Sequence, residues 1–403
     1  MFTNLSIQKI KRSFEKTKYR FTGIPQRKLS GDFGIYIHVP FCLSKCSFCP
    51  FYKEVLNEDD KAAYLQALTR EIETADIHGT AKWVYLGGGT PNVLTVQELT
   101  GIVDILKQKV KIDDLGIELL PALIDDDYLK ALIKAGFNKV SIGIESMSKE
   151  LMRESGRTVH KHEKIDPLIS SALSYGLWVN TDLMVGIPGQ TEDSFLTDVE
   201  IIASIMPSQV TIYPYMNIRG SKGRAAFIER QQFALIEEAG ELLIEKGYNR
   251  SGIWTFALGD NLYDSSRDEL VEDYVGFGPG AFSTYADYKV VNPEVSAYLK
   301  SIQNGQSMGF VAPKSKATDD WRKFARAIYD LEVSDLSHLP GYISAYASLL
   351  ELFGSIREGY LTQRGLKFAH RLSKTVVESL PFPVQNERCV ENYDEYLNYK
   401  NGG

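Results

Sequence analysis

The sequence predicts an α/β fold: a parallel sheet curled into a partial (β/α)6 barrel, followed by a small, mainly helical C-terminal domain. Three observations carry this. Between Gly34 and Lys246, short apolar runs alternate with helix-periodic stretches six times. Such alternation calls for a parallel sheet with right-handed crossovers, and six repeats stop short of the eight that close a full barrel. The stretches richest in Gly, Cys and charged residues follow the apolar runs, where strand ends gather at one mouth. Past about residue 315 this rhythm gives way to helices.

In order, Gly34–Val39 is the first strand and leads into a cysteine-bearing loop. Tyr64, Leu65, Leu68 and Ile72 then recur at helical spacing. Val84–Leu86 is a buried strand running into Gly87-Gly88-Gly89-Thr90-Pro91. Thr95 with Glu98 makes a capping box for a helix whose apolar face is Leu99, Ile102, Val103 and Leu106. Ile117–Leu119 is the third strand. Tyr128, Leu129, Leu132 and Ile133 mark a helix that Gly136 closes. Lys139–Gly143 is the fourth strand, with a helix near Ile165–Tyr175. Trp178–Val185, the fifth, ends on Gly186-Ile187-Pro188-Gly189-Gln190-Thr191, ahead of a helix over Asp193–Ile205. Gln209–Tyr215 is the sixth, followed by a long helix over Ala225–Lys246. Trp321–Leu336, Tyr346–Phe353 and Leu366–Ser379 read as helices, with a hairpin at Arg357–Leu361.

The expected organisation is an N-terminal arm (1–32), the barrel with an extension (33–310), a C-terminal helical domain (311–385) and a loose polar tail (386–403). The arm is basic (Lys9, Lys11, Arg12, Lys16, Lys18, Arg20, Arg27, Lys28) and reads as a solvated segment or as a flap over the site. Hydrophobic residues make up 44% and charged residues 24% of the chain, ordinary for a soluble enzyme. A net charge of −7 argues against a nucleic-acid-binding surface. Four cysteines, three of them clustered, make no disulfide framework and imply a reducing compartment. With no signal-peptide pattern and no run of about eighteen apolar residues, the expected location is cytoplasmic, with no membrane partner.

Three of the four cysteines, Cys42, Cys46 and Cys49, lie in Tyr36-Ile37-His38-Val39-Pro40-Phe41-Cys42-Leu43-Ser44-Lys45-Cys46-Ser47-Phe48-Cys49, spaced C-x3-C-x2-C. Three thiolates on one loop can grip three corners of a cubic iron–sulfur cluster, which usually takes four cysteines. Cys389 lies far off in the polar tail and reads as incidental. One iron is then left open, and an open position is where a metal centre does chemistry. The same residues also read as a structural zinc site with His38 as fourth ligand, although such sites more often pair two C-x2-C knuckles.

This spacing, with Phe48 before the last cysteine, resembles the signature of the radical S-adenosylmethionine (SAM) enzymes. The wider Y-x-H-x-P-F-C context resembles their oxygen-independent coproporphyrinogen III dehydrogenase-like branch. The resemblance covers residues 33 to 290 well and the C-terminal domain, winged-helix-like in the family, more weakly. It implies a [4Fe-4S] cluster on Cys42, Cys46 and Cys49, SAM on the open iron, possible use of two SAM molecules, and a flavodoxin- or ferredoxin-type electron donor.

It also implies SAM contacts from Tyr36, Phe48, Gly88, Gly89, Thr90, Glu118, Glu145, Arg157 and Asp182, and a second ligand surface at Gly278 and Ala281 in Val275-Gly276-Phe277-Gly278-Pro279-Gly280-Ala281-Phe282-Ser283. Glu145, Tyr215 and His38 are the candidate catalytic groups. Glu118 sits in Ile117-Glu118-Leu119-Leu120-Pro121, where the family has Asn in place of Leu120; Glu145 stands where many members carry Gln. Arg157 suits a bidentate grip on the SAM carboxylate. Asp182 belongs at the ribose, with an Arg157–Asp182 salt bridge as the structural alternative. His160-Lys161-His162 reads as a solvated loop.

Within the branch, the expectation is a two-SAM enzyme moving a methyl or methylene group onto a tetrapyrrole or other conjugated ring, or opening a haem ring. The alternatives are oxidative decarboxylation of coproporphyrinogen III and, in another class, haem delivery by a chaperone. The chaperone branch shows H-N-x-x-Y-W where this chain has Asn261–Asp268, which counts against it.

Overall fold

Six parallel strands form the centre of the sheet: β1 (Lys28–Val39), β2 (Asp76–Gly88), β3 (Val110–Leu119), β4 (Lys139–Glu145), β5 (Trp178–Val185) and β6 (Gln209–Pro214). They are hydrogen-bonded in sequence order, with Tyr36 opposite Tyr85, Ile117 opposite Val140 and Asp182 opposite Thr211. The computed structural model describes residues 7–8, 11–12, 15–160, 162–216, 224–259, 273–334, 336, 339–380 and 382–402.

Helices Glu58–Thr74, Val96–Lys107, Asp126–Ala135, Ile165–Ser174, Glu192–Ile205 and Glu229–Glu245 follow the successive strands. The capping box of Thr95 and Glu98 forms as the sequence predicts, and Gly136 ends its helix at φ 104°. One face of the sheet packs on these helices: Ile35, Ile37 and Val39 share a core with Leu68, Leu99, Leu129, Ile169 and Val199. Strand alternation sends Tyr36, His38, Tyr85, Glu118, Ser141 and Asp182 to the opposite, inner face.

Among the described residues the sheet runs on past both ends of the barrel, to thirteen strands. Next to β1, Tyr274–Phe277 is parallel; Phe282–Tyr285, Tyr288–Val291 and Met308–Pro313 then continue antiparallel. Beyond β6 come Thr255–Ala257 and Asn249–Arg250. These strands are two to six residues long, too short to leave an apolar run in the sequence. The barrel stays open.

Both termini differ from expectation. Arg20–Gly23 pairs antiparallel with Met308–Pro313, so this part of the arm is the edge strand of the sheet, while Lys16, Lys18 and Arg20 stay exposed. The tail is not loose: Tyr393–Asn401 is a helix. Tyr396 meets the rings of Phe21 and Phe310 at 5.1 and 4.9 Å. Tyr19 N–H donates to Cys389 O at 2.8 Å, and Cys389 is buried. The aromatic stripe Tyr393, Tyr396, Tyr399 gives this otherwise polar segment something to bury.

The C-terminal unit consists of helices Lys316–Tyr329, Gly341–Leu352 and Gln363–Glu378 with a hairpin, Ile356–Arg357 with Tyr360–Leu361. Its last helix packs on the barrel through several polar contacts, of which the buried ones involve His370 and Lys374. Trp254 Nε1 donates to His370 Nδ1 at 3.1 Å, and Lys374 Nζ donates to Tyr215 O at 3.1 Å and Gln232 Oε1 at 2.7 Å. Among the described residues no helix is long and apolar enough to cross a membrane.

Candidate active site at the mouth of the barrel

The cysteine loop is fastened to the ends of β1 and β2. Phe41–Cys42 pairs with Glu54–Val55, and Leu56 N–H donates to Cys42 O at 2.9 Å, closing the loop at its base. From β2, Gly89 N–H donates to Val39 O (2.7 Å) and Thr90 N–H to Phe41 O (2.8 Å), while the Thr90 hydroxyl reaches Cys42 Sγ at 3.4 Å. This fit requires glycine. A Cβ on Gly88, whose φ is 108°, would fall 2.6 Å from the His38 ring, and one on Gly89 would fall 2.6 Å from Phe41 O.

On the far side of the loop, Phe48 packs with Met152, Met184, Ile187 and Tyr215, against Cys46 and Cys49. Ser47 N–H donates to Ser155 O at 2.8 Å. Arg157 Nη1 lies 4.0 Å from Cys46 Sγ. The loop therefore spans the mouth from β1 to β5. Burial pushes the Cys42 thiol up to about 11, the Thr90 hydroxyl opposing and the charges of Cys49 and Cys46 adding to the rise. Cys46 is also raised, by burial first, with Arg157 opposing and Cys49 adding. The three sulfurs are thus close enough to feel one another. Among the described residues, no group of three or more His, Cys, Asp or Glu side chains could hold a metal ion. Thiolates that each hold a separate corner of a cluster do not converge on one ion.

Three carboxylates face the loop. Glu118, at the end of β3, accepts from Gly88 N–H (3.2 Å) and the Tyr85 hydroxyl (3.3 Å). Burial, then the charge of Asp182, push its carboxyl up to about 8. Asp182 accepts from the Ser141 hydroxyl (2.6 Å) and Asn180 Nδ2 (2.9 Å). Glu145, at the end of β4, lies 3.5 Å from Arg157 Nη2, so the Arg157 ion pair goes to Glu145 where the sequence offered Asp182. The cause is a slip in the β4–β5 register between Gly143 and Glu145, which turns the Glu145 side chain toward the arginine.

Leu120, where the family pattern has Asn, is held through its backbone. Asn92 Nδ2 donates to Leu120 O at 3.0 Å and Leu120 N–H donates to Asn92 Oδ1 at 2.9 Å.

Other expectations shift. His38 is buried with both nitrogens engaged: Nε2 donates to Tyr52 O at 2.9 Å, which leaves Nδ1 to accept from the Tyr36 hydroxyl at 3.0 Å. Burial lowers it to about 4. With both ring nitrogens engaged, His38 joins Tyr36 to the carbonyl of Tyr52. Tyr36 consequently reaches the mouth through His38.

At Gly278 and Ala281 the backbone is occupied internally. Gly278 N–H donates to Glu71 Oε2 (2.8 Å), Ala281 N–H to Gly278 O (3.2 Å), and Ala281 O accepts from Asn292 N–H (2.9 Å). Tyr215 is fully buried beside Phe48. His160, expected in solvent, is also buried. Asn261–Asp268 lies outside the described residues.

Sequence reasoning missed a buried network beside this mouth. Glu71 accepts from Arg27 (2.7 Å), Asn292 Nδ2 (2.8 Å), the Tyr298 hydroxyl (2.7 Å) and Gly278 N–H, tying four distant segments behind His38. A signal was present: position 71 falls on the apolar stripe of Tyr64, Leu68 and Ile72, where an unpaired acid is disfavoured.

Three thiols on one loop, a glycine edge that admits a ligand to backbone range, and an arginine whose Nε is buried with no hydrogen-bond partner fit an iron–sulfur cluster and a ligand with a carboxylate. The three acids suit its ammonium and sulfonium charges. This fold and mouth define the radical SAM class.

The model of the radical SAM superfamily matches residues 36–202. The chain is 28% identical to the oxygen-independent coproporphyrinogen III oxidase of Pseudomonas aeruginosa over 313 residues, 70% of this chain and 68% of that one. It is 26% identical to the heme chaperone HemW of Lactococcus lactis over 289 residues, 66% of this chain and 73% of that one. The solved coproporphyrinogen III oxidase (HemN) of Escherichia coli has the same fold, with a TM-score of 0.71 and 22% identity, covering 92% of this chain and 93% of that one. The chain carries a radical SAM domain over residues 36–202 and is similar to coproporphyrinogen III oxidases and HemW over about two thirds of its length. Its cofactors are a [4Fe-4S] cluster and SAM.

Proposed function

We propose that the protein, a radical SAM enzyme, oxidatively decarboxylates the propionates of coproporphyrinogen III in the cytoplasm, drawing electrons from a flavodoxin- or ferredoxin-type donor. The observation that carries this reading is the likeness to a coproporphyrinogen III oxidase over 70% of the chain, together with a mouth that keeps the whole cysteine, glycine and carboxylate set. Methyl transfer to a conjugated ring, the leading expectation from sequence alone, yields to its alternative.

When bound, a cluster held by Cys42, Cys46 and Cys49 would supply the electron for reductive cleavage of SAM. The chain binds, orients and excludes water. Cys42, Cys46 and Cys49 hold the cluster, with the Thr90 hydroxyl on the first sulfur. Gly88, Gly89 and Glu118 would receive the ammonium end of SAM, Arg157 its carboxylate, and Asp182 the ribose hydroxyls. Phe48 and Tyr215 form the apolar wall beside the loop. Each reacting propionate would give up one hydrogen atom to the 5′-carbon of the adenosyl group, carbon dioxide, and one electron to an oxidised one-electron carrier protein, leaving a vinyl group.

Anaerobic incubation with SAM, reductant and coproporphyrinogen III, followed by mass spectrometry, tests this. The expected product is lighter by CO2 and H2 per propionate. Unchanged coproporphyrinogen III overturns it, and S-adenosylhomocysteine among the products restores methyl transfer. The HemW likeness favours haem delivery as the second reading: tight haem binding with no 5′-deoxyadenosine under any substrate would put it first.

A further inference from the structure

β4 departs from regular geometry at its last residue. Glu145 takes φ 63°, the left-handed region that residues with a Cβ seldom adopt and that marks strain held by its surroundings. The next residue supplies the hold. Ser146 is fully buried; its hydroxyl donates to Asp198 Oδ2 at 2.6 Å and accepts from Ser148 N–H at 3.1 Å. The turn so locked delivers the Glu145 carboxylate to Arg157, Oε1 to Nη2 at 3.5 Å, with the two side chains only 14% and 12% exposed. Nη2 also donates to Gly143 O at 2.5 Å, the guanidinium lies 6.0 Å from the centre of the Phe48 ring, and Nε is left buried without a partner. A guanidinium grips a carboxylate with paired N–H groups. The Glu145 carboxylate already faces this guanidinium and takes only one edge.

We propose that Glu145 is a built-in competitor for Arg157: it holds the guanidinium that the amino-acid carboxylate of SAM must reach, and SAM binds by exchanging one carboxylate for the other. The inference rests on the reading of Arg157 as the SAM-carboxylate contact. Where the family pattern has Gln, the side chain offers Arg157 a neutral oxygen and competes weakly; the Glu of this chain competes as an anion. Glu145 therefore sets SAM affinity below what the mouth would otherwise give. Its effect is confined to ligands that carry a carboxylate.

The test compares wild type with Glu145→Gln, both anaerobically reconstituted, by equilibrium dialysis against SAM and against decarboxylated SAM, which keeps the adenosine, sulfonium and amine. Glu145→Gln is expected to bind SAM about fivefold more tightly and decarboxylated SAM no more tightly than wild type. Glu145→Ala, which also removes the anion, shifts SAM affinity in the same direction and serves if the Gln variant folds poorly. Unchanged or weaker SAM binding in both variants overturns the inference, as does an equal gain for both ligands. If neither wild type nor variant binds SAM, the reading of the site fails and takes the inference with it; if SAM binds all forms alike, the inference alone fails.

Discussion

The two walls of the mouth are built on different principles. The β1–β2 wall is made of backbone. Gly89 and Thr90 donate to Val39 and Phe41 carbonyls, and His38 stays neutral between Tyr36 and Tyr52. The β3–β5 wall is made of acidic side chains: Glu145 faces the guanidinium of Arg157, and burial with the charges of Asp182 and Glu145 raises the Glu118 carboxyl. The first wall shapes the seat of the cluster and tolerates no added atom. The second is electrostatically incomplete until a cationic ligand arrives, because like charges in a half-buried site raise one another's pKa.

The comparison breaks first at the loop that joins the walls. Cys46→Ala is expected to lose the iron and its broad visible absorbance, measured after anaerobic reconstitution; iron content equal to wild type would contradict it. The backbone wall comes next. Gly89→Ala places a Cβ 2.6 Å from Phe41 O, a clash that no side-chain rotation relieves, and is expected to lower stability by about 2–3 kcal/mol, read by thermal or denaturant melting. A melting curve that superimposes on wild type would show that this wall yields.

The charged wall predicts a pH signature. The Glu118 carboxyl is raised from 4.5 to about 8, so the folded chain keeps a proton that the unfolded chain releases across that window. Stability of the SAM-free protein therefore falls as pH rises from 4.5 toward 8, with a slope approaching about 1.4 kcal/mol per pH unit. Glu118→Gln is expected to flatten that slope in melting series at several pH values; parallel curves for both proteins would place the missing charge elsewhere. The smallest effect is expected where helix Gln363–Glu378 reaches the chain just beyond β6. Lys374→Met removes the donor to Tyr215 O and Gln232 Oε1, while Gln232 Nε2 still donates to Tyr215 O. The expected loss is about 1 kcal/mol, with cluster content intact.

The backbone wall was far more legible in the sequence than the charged one. Apolar runs such as Trp178–Val185 match their strand end to end, and the Gly87–Pro91 run declared a close approach before any contact was known. The members of the charged wall could be named, but not their pairing. Arg157 meets Glu145 because β4 slips against β5, and register slips leave no trace in composition. Ser146 and Asp198 are 52 residues apart, and Glu71 joins Arg27 to Asn292 across 265; such links become visible only once the chain is folded. The strands outside the barrel escaped because two to six residues carry too little periodicity to register.

Everything turns on whether an iron without a protein ligand sits between these walls and receives SAM. The direct measurement is 5′-deoxyadenosine formed from SAM and reductant by anaerobically reconstituted wild type and Cys46→Ala, with iron assayed on the same samples. The prediction is about four irons per chain and 5′-deoxyadenosine in wild type, and neither in the variant. A loaded wild type that forms no 5′-deoxyadenosine, or a variant that forms as much, would contradict it.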